Sequence, residues 1–208
     1  MESHCVFPDS PTSGAGLLSR AFTDLGLSSF QQACRWVHEL PYGYNSDRDD
    51  PMIIFAERKG TCTTKHAAIA TLAQELGLLV EKHLGVYAMT EGIVAGTDAI
   101  LGRFGLPYVP MLHCFLVSGT LRVDLTEGNR NGKRCSIEQF LHGERVRPAI
   151  TAREEYLLYR TWLIKLIDGR DELRGIELHM VLRAREEGLK LLKANLAPIV
   201  PMASSVSP

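Results

Sequence analysis

Three short stretches of this chain carry residue types that can do covalent chemistry together. The first is Gly60-Thr61-Cys62, which opens a run whose apolar residues recur at helical spacing. Cys62 therefore falls in the first turn of a helix, where unpaired backbone N–H groups gather and the positive end of the helix dipole favours an anion. A thiolate is the nucleophilic form of cysteine, and a helix N-terminus beside a basic group lowers a thiol pKa from about 8.5 into the range of roughly 3.5–7.5. Gly60 leaves room for a substrate to approach the backbone closely. On a helical wheel Cys62, His66, Ile69, Ala73 and Leu76 share one stripe, with Thr71, Gln74 and Glu75 opposite, which puts the thiol at the top of the buried face. A free cysteine is commonly just a small buried hydrophobe; the Gly-Thr-Cys lead-in and the helix-start position argue for the nucleophile instead. His66, one turn below the thiol, reads as a packed, hydrogen-bonded supporting residue. A base there would point into the core, and a zinc site would need two further ligands that no usual spacing supplies.

The other two stretches surround His113 and Asp124, which lie on either side of Ser118-Gly119, a plausible hairpin turn. A two-residue loop at Ser118-Gly119 pairs 117 with 120, 115 with 122 and 113 with 124, and a four-residue loop keeps the same register. His113 and Asp124 then face each other with Cβ atoms roughly 4.5–5.5 Å apart. That spacing lets a carboxylate accept from one imidazole nitrogen, fix the tautomer and leave the other nitrogen for a thiol. A three-residue loop would shift the pairing by one and separate them. Taken alone, the pair could equally be a cross-strand contact that only stabilises the sheet. The opposite face, Leu112, Cys114, Leu116, Leu121, Val123 and Leu125, is wholly apolar and needs a cover. The C-terminal helices are expected there, with the cysteine helix over the His/Asp face.

The elements that must position these groups follow from the same spacing. Helices are expected near 17–25 and over 29–40, the second N-capped by Ser28 or Ser29, then a short one over 51–58 and a strong one over 62–76 closed by Gly77. A strand is expected over 79–89, a helical turn around 97–103, and the hairpin over 112–125. The remainder reads as helical, near 136–141, over 152–167 and over 172–196, with Gly175 and Gly188 as weak points. Helices, then strands, then helices argue for an α+β domain. The expected organisation is a flexible arm over 1–14, a core over 15–135, a C-terminal helical extension packed on it over 136–200, and a disordered tail over 201–208.

Composition narrows the function classes. The chain has 208 residues, with 23 Lys and Arg against 24 Asp and Glu, a balance that leaves no overall footprint for nucleic acid or an anionic membrane. No apolar run approaches the roughly 18 residues of a membrane span. The start has an acidic residue where a basic leader region belongs, so no signal peptide is expected. Five cysteines at irregular spacing do not form a disulfide framework, which fits a reducing, cytoplasmic setting. The acidic turn 45–50 has Asp50 where a calcium loop needs Gly, and no metal or other cofactor is expected.

Together, Gly60-Thr61-Cys62, Leu112-His113-Cys114 and Val123-Asp124-Leu125-Thr126 resemble the transglutaminase-like superfamily of papain-related cysteine enzymes. The upstream Ala33-Cys34-Arg35-Trp36-Val37 and Pro41-Tyr42-Gly43 resemble the helix and aromatic stretch that precede its cysteine. The resemblance covers about residues 29–127 and leaves the C-terminal helices outside. It implies a core in which N-terminal helices, the cysteine helix among them, pack on a small antiparallel sheet. It also implies Cys62 as nucleophile, His113 as general base and acid, and Asp124 as the group that orients it. The family adds an upstream aromatic to the Cys62 N–H as oxyanion donor. Trp36, Tyr42 and Tyr44 are the candidates, with Gly60 and Thr61 lining the substrate site. The implied chemistry is acyl transfer from an amide or peptide, hydrolysis ahead of transamidation, on a peptide, protein or small amide. The segment 90–110, rich in Gly and Pro, would border the cleft. Two alternatives are a non-catalytic binding module on the same fold, and an acyltransferase of the arylamine N-acetyltransferase type. The usual Arg-Gly-Gly before the cysteine of the latter is replaced here by Arg58-Lys59-Gly60-Thr61. Oligomeric state is not legible.

Overall fold

The computed structural model describes residues 6–196. Among them seven α-helices and one four-stranded antiparallel sheet, in the order β3-β2-β1-β4, build a mixed α and β structure. No helix among the described residues is long and apolar enough to cross a membrane.

The N-terminal helices form where apolar spacing and caps place them. α1 (Leu17–Asp24) buries Leu18 and Phe22 but has no side-chain cap of its own. Glu75 of the cysteine helix supplies one, accepting from the backbone N–H of Leu18 at 3.0 Å and of Ser19 at 2.7 Å. A carboxylate at a helix N-terminus satisfies orphan donors and opposes the dipole. α2 (Phe30–Glu39) is capped by Ser29, whose hydroxyl accepts from Gln32 N–H at 3.3 Å. The short α3 spans Ile53–Glu57 and the cysteine helix α4 spans Cys62–Glu75. The segment 6–14, expected to be part of a loose arm, is tied down. Phe7 is buried edge-on against Phe30, Ser10 O accepts from Phe30 N–H, and Thr12 donates to Leu27 O at 2.6 Å. A large aromatic ring gains more from burial than its ordering costs. The tail over 201–208 lies outside the described residues.

α4 is buried on nearly every side and forms the axis of the N-terminal half. Its Lys65, fully buried, donates its ammonium to His38 O at 3.2 Å and Leu40 O at 2.5 Å, satisfying carbonyls at the end of α2. Burial takes the Lys65 pKa down to about 7, with Asp124 opposing.

β1 (Glu81–Met89) and β2 (Val109–Ser118) form the long ladder of the sheet, from Glu81 opposite Val117 to Met89 opposite Val109. β3 (Leu121–Val123) returns from β2 with Ser118 opposite Leu121 and Leu116 opposite Val123. The turn is therefore Gly119-Thr120, with Gly119 at φ +59°, and the register differs by two residues from the expected one. His113 and Asp124 are diagonal neighbours, not direct partners. A shift of two leaves every side chain on its original face, so the pair still meets.

The layering also differs from expectation. Leu116, Val123 and Leu125 share a core with Ala68, Ile69, Leu72 and Ala73 of α4, and Cys114 Sγ lies 3.8 Å from Thr63 Oγ1. The cysteine helix thus packs on the apolar face assigned to the C-terminal helices. Segment 136–141 is not helical. It leads into β4 (His142–Arg145), which pairs with β1 as Gly85 opposite Gly143. β4 therefore lies inside the stretch expected to be a helical extension, and 135 is no boundary. α5 (Thr97–Phe104) lies within the Gly- and Pro-rich stretch 90–110. α6 (Ala152–Gly169) is capped by Thr151 and Glu154, and α7 (Leu178–Ala194) begins after a break at Gly175, φ +81°. Gly188 does not interrupt α7. A Cβ there would lie 2.9 Å from Met89 Cε and 3.2 Å from Met111 Sδ, so the glycine permits close packing on the sheet.

Candidate active site

Cys62 enters the first turn of α4 through a lead-in that backbone pairing holds in place. Gly60 N–H donates to Pro41 O at 3.1 Å and Gly43 N–H to Gly60 O at 3.2 Å, so Tyr42 runs beside the helix start. Thr64 Oγ1 accepts from Thr61 N–H at 3.1 Å and donates to Asn45 Oδ1 at 2.8 Å. Asn45 in turn donates to Glu57 Oε2 and Lys59 O. A Cβ at Gly60 would lie 2.8 Å from Thr64 Oγ1 and 3.0 Å from Lys65 Cγ. Gly60 serves this packing and does not line the cleft, contrary to its expected role.

His113 and Asp124 come together at 2.5 Å, Nε2 to Oδ2. The other carboxylate oxygen, Oδ1, accepts from Thr126 N–H at 2.8 Å and Thr126 Oγ1 at 2.7 Å. His66 pins the next residue, its Nε2 accepting from Leu125 N–H at 2.8 Å and lying 3.4 Å from Asp124 Oδ1. This is the supporting role expected of His66. With Nε2 of His113 committed to Asp124, Nδ1 is the nitrogen left for the thiol.

The electrostatics agree with that assignment. A hydrogen bond from Cys114 lowers the Cys62 thiol pKa, burial opposes it, and the charge and hydrogen bond of His113, with Lys133, take it well below the ordinary value. Burial disfavours the His113 imidazolium, yet Asp124 and Cys62, against an opposing push from Lys133, carry its pKa up to about 9. Burial would raise the Asp124 carboxyl; His113, His66 and Thr126 hold it far below the carboxylate range instead. Cys114 moves up, as the donor to Cys62 and through its own burial. These shifts all favour a thiolate–imidazolium pair anchored by a carboxylate.

Cys62 and His113 border a cleft of about 180 Å³ that is also lined by Tyr42, Tyr44 and Thr61, while Asp124 lies outside its lining. The Tyr42 hydroxyl lies by the Cys62 backbone N–H, and burial together with the Cys62 charge raises its pKa. Trp36 is elsewhere: it stacks on Phe55 at 5.3 Å, meets Phe22 edge-on and carries Arg58 over its ring. Its place is in packing among the N-terminal helices, not at the site.

The far wall was not expected. It comes from the C-terminal helices, with Glu155 of α6 and Arg185, Leu189 and Leu192 of α7, and not from segment 90–110. α5 of that segment packs on α7 instead. Arg48 bridges the turn after Tyr44 to Glu155 at 2.5 Å, and Asp49 Oδ1 accepts from Ala152 N–H at the start of α6. Asp47 and Asp50 accept from nearby backbone N–H groups within the same turn. Among the described residues no group of three or more His, Cys, Asp or Glu is placed to hold a metal ion. Tyr87, Cys114 and Lys133 also reach the cleft. Of these, Tyr87 was findable, since it sits on the His113 face two positions along the neighbouring strand. Its hydroxyl is buried with no hydrogen-bond partner among the described residues.

Comparison of the chain with known protein families, with curated proteins and with solved structures found no match.

Proposed function

We propose that this protein is a cysteine enzyme with a transglutaminase-like core that cleaves amide or peptide bonds through a thioester on Cys62. The observation that carries the reading is the Cys62–His113–Asp124 chain, with its 2.5 Å His–Asp contact and with Cys62 and His113 on the wall of an open cleft. The thiolate attacks the carbonyl carbon, and the oxyanion forms beside the Cys62 N–H and the Tyr42 hydroxyl. The His113 imidazolium gives its proton to the leaving amine, and the C–N bond breaks to leave the thioester. His113, now neutral, takes a proton from water, whose oxygen attacks the thioester and releases the acid and the thiolate. An amine in place of that water gives transamidation; hydrolysis is placed ahead of it because water needs no binding site of its own.

A nucleophile on a helix start, packed on an antiparallel sheet in which β2 carries the histidine and the aspartate directly follows β3, supports the transglutaminase-like core. The free thiols of Cys34, Cys62, Cys114 and Cys135 fit a reducing, cytoplasmic setting. The test is iodoacetamide labelling at neutral pH followed by peptide mass spectrometry. Cys62 is expected to react fastest, and His113→Ala to remove that advantage. Similar slow labelling of every cysteine would sink the enzyme reading in favour of a binding module. A covalently acylated Cys62 after incubation with acyl-coenzyme A would move the assignment to the acetyltransferase type.

A further inference from the structure

The charges around the cleft are not balanced as those of the whole chain are. Four charged side chains line it: Arg48, Lys133, Glu155 and Arg185. Glu155, the lone carboxylate, is taken by Arg48 at 2.5 Å. Arg185 has only Glu186 as carboxylate partner, at 2.8 Å on the exposed side of α7, and its buried Nε has no hydrogen-bond partner among the described residues. Lys133 has no ion-pair partner among the described residues, and its ammonium lies 5.9 Å from the centre of the Tyr42 ring. Cys62, Asp124 and Glu127 act on the Lys133 ammonium through space without a direct ion pair, and His113 shares the first two.

Lys133 is also held where it is by construction. Its N–H donates to Asn131 Oδ1 at 3.1 Å, and Asn131 Nδ2 donates to Thr126 O two residues past Asp124. Gly132 between them, at φ +82°, lies so near α7 that a Cβ would meet Leu192 O at 2.8 Å. The loop after the triad aspartate and the last helix are thus fitted together so that one ammonium enters the cleft. An ammonium with no carboxylate in direct contact and a buried guanidinium N–H without an acceptor leave donors that an anionic ligand can satisfy. The buried Tyr87 hydroxyl adds a donor without an acceptor on the same wall.

We propose that the cleft accepts an acyl donor bearing a carboxylate or comparable anionic group, held by Lys133 and Arg185 with the reacting carbonyl at Cys62. This rests on the cysteine-enzyme reading and names its substrate class. The probes are iodoacetate and iodoacetamide, which alkylate the same thiolate with loss of iodide and differ in charge. Their second-order rates at Cys62 of the full chain are measured at low salt with assignment by mass spectrometry. The ratio of the two rates cancels the thiolate fraction, so any effect of Lys133 on the Cys62 pKa drops out, and His113 contributes alike in every variant. Lys133→Gln and Arg185→Gln are each expected to lower the iodoacetate-to-iodoacetamide ratio several-fold, on the order of ten for the pair. Lys133→Arg and Arg185→Lys should restore it, and added salt should reduce it in the wild type. An unchanged ratio in both Gln variants overturns the proposal, as does an equal fall in both rates, which would make Lys133 a thiolate stabiliser alone. If Cys62 is no faster than the other cysteines toward iodoacetamide, the enzyme reading fails first and the anion site with it.

Discussion

His113 Nε2 lies 2.5 Å from Asp124 Oδ2 although Asp124 stands past the end of β3, diagonal to the histidine across the hairpin. The carboxylate reaches back because Thr126 holds its other oxygen and His66 holds the Leu125 N–H. Asp124→Asn should therefore lose activity by orders of magnitude and destabilise the fold by about 3 kcal/mol, the usual cost of breaking a buried charged pair. The pH dependence gives a second readout. The His113 pKa is raised from 6.5 to about 9, so its stabilisation is complete below pH 6.5 and is lost as pH rises through 9. Cys62 and Lys65, whose pKa values are lowered, titrate in the opposite sense over the same range, so the His113 contribution is read as a difference: the urea-midpoint advantage of the wild type over Asp124→Asn should shrink as pH rises from 6.5 to 9.

The pairing of Cys62 with His113 predicts an unusual alkylation profile. An ordinary thiol reacts about ten times faster per pH unit until near pH 8.5. Cys62, its pKa held down by Cys114, His113 and Lys133, should show a markedly flatter dependence of iodoacetamide rate on pH between 7 and 9 than an ordinary thiol. Acyl transfer should decline above about pH 9, where His113 loses the proton it must donate. His113→Ala should restore a rising alkylation profile, displaced upward by burial. A flat profile in that variant would show that the histidine does not set the thiol pKa.

How much of this was legible depended on whether the controlling contacts were local. α2, α4 and β1 follow from caps and apolar spacing, which act within a few residues. Alternation fixed the face of His113 and Asp124 but not their register, because a period of two cannot distinguish pairings that differ by two. β4, His-Gly-Glu-Arg, carries no alternating pattern, since an exposed edge strand needs none. Trp36, Tyr42 and Tyr44 are alike in sequence; the backbone bridge from Tyr42 to Gly60 sends the tyrosines to the site, and Phe22 and Phe55 keep the tryptophan away. Arg185 and Lys133 reach the cleft only through the docking of α7, more than 50 residues after Asp124, and no spacing rule reports that.

Cys114 offers a finer adjustment of the same nucleophile. Its Sγ lies 3.8 Å from Thr63 Oγ1 and beside Cys62, so its S–H can turn to the thiolate. Cys114→Ala removes that donor and should raise the Cys62 pKa, moving the acid-side fall of the alkylation rate up by roughly half to one pH unit and lowering the rate on that limb roughly three- to tenfold. Cys114→Ser keeps a donor and should preserve most of the rate. Equal rates in both variants would assign Cys114 to packing alone.

His66 should make the fold sensitive to acid in the opposite sense from His113. It is fully buried, its Nε2 accepts from Leu125 N–H, and its Nδ1 has no partner among the described residues, so the neutral ring is the form that fits. Burial lowers its pKa from 6.5 to about 4, against a raising effect of Asp124 and Cys62. Between those values the unfolded chain binds a proton that the folded chain refuses, so stability falls as pH drops from 6.5 to 4. A fall from 6.5 to about 4 corresponds to on the order of 3 kcal/mol. His66→Gln can still accept from Leu125 N–H through its amide oxygen but does not titrate. Urea unfolding at pH 6.5, 5.5 and 4.5 should show a shallower loss of stability in His66→Gln than in the wild type. Parallel curves would mean that other groups carry the acid sensitivity and that His66 is not held neutral by its burial.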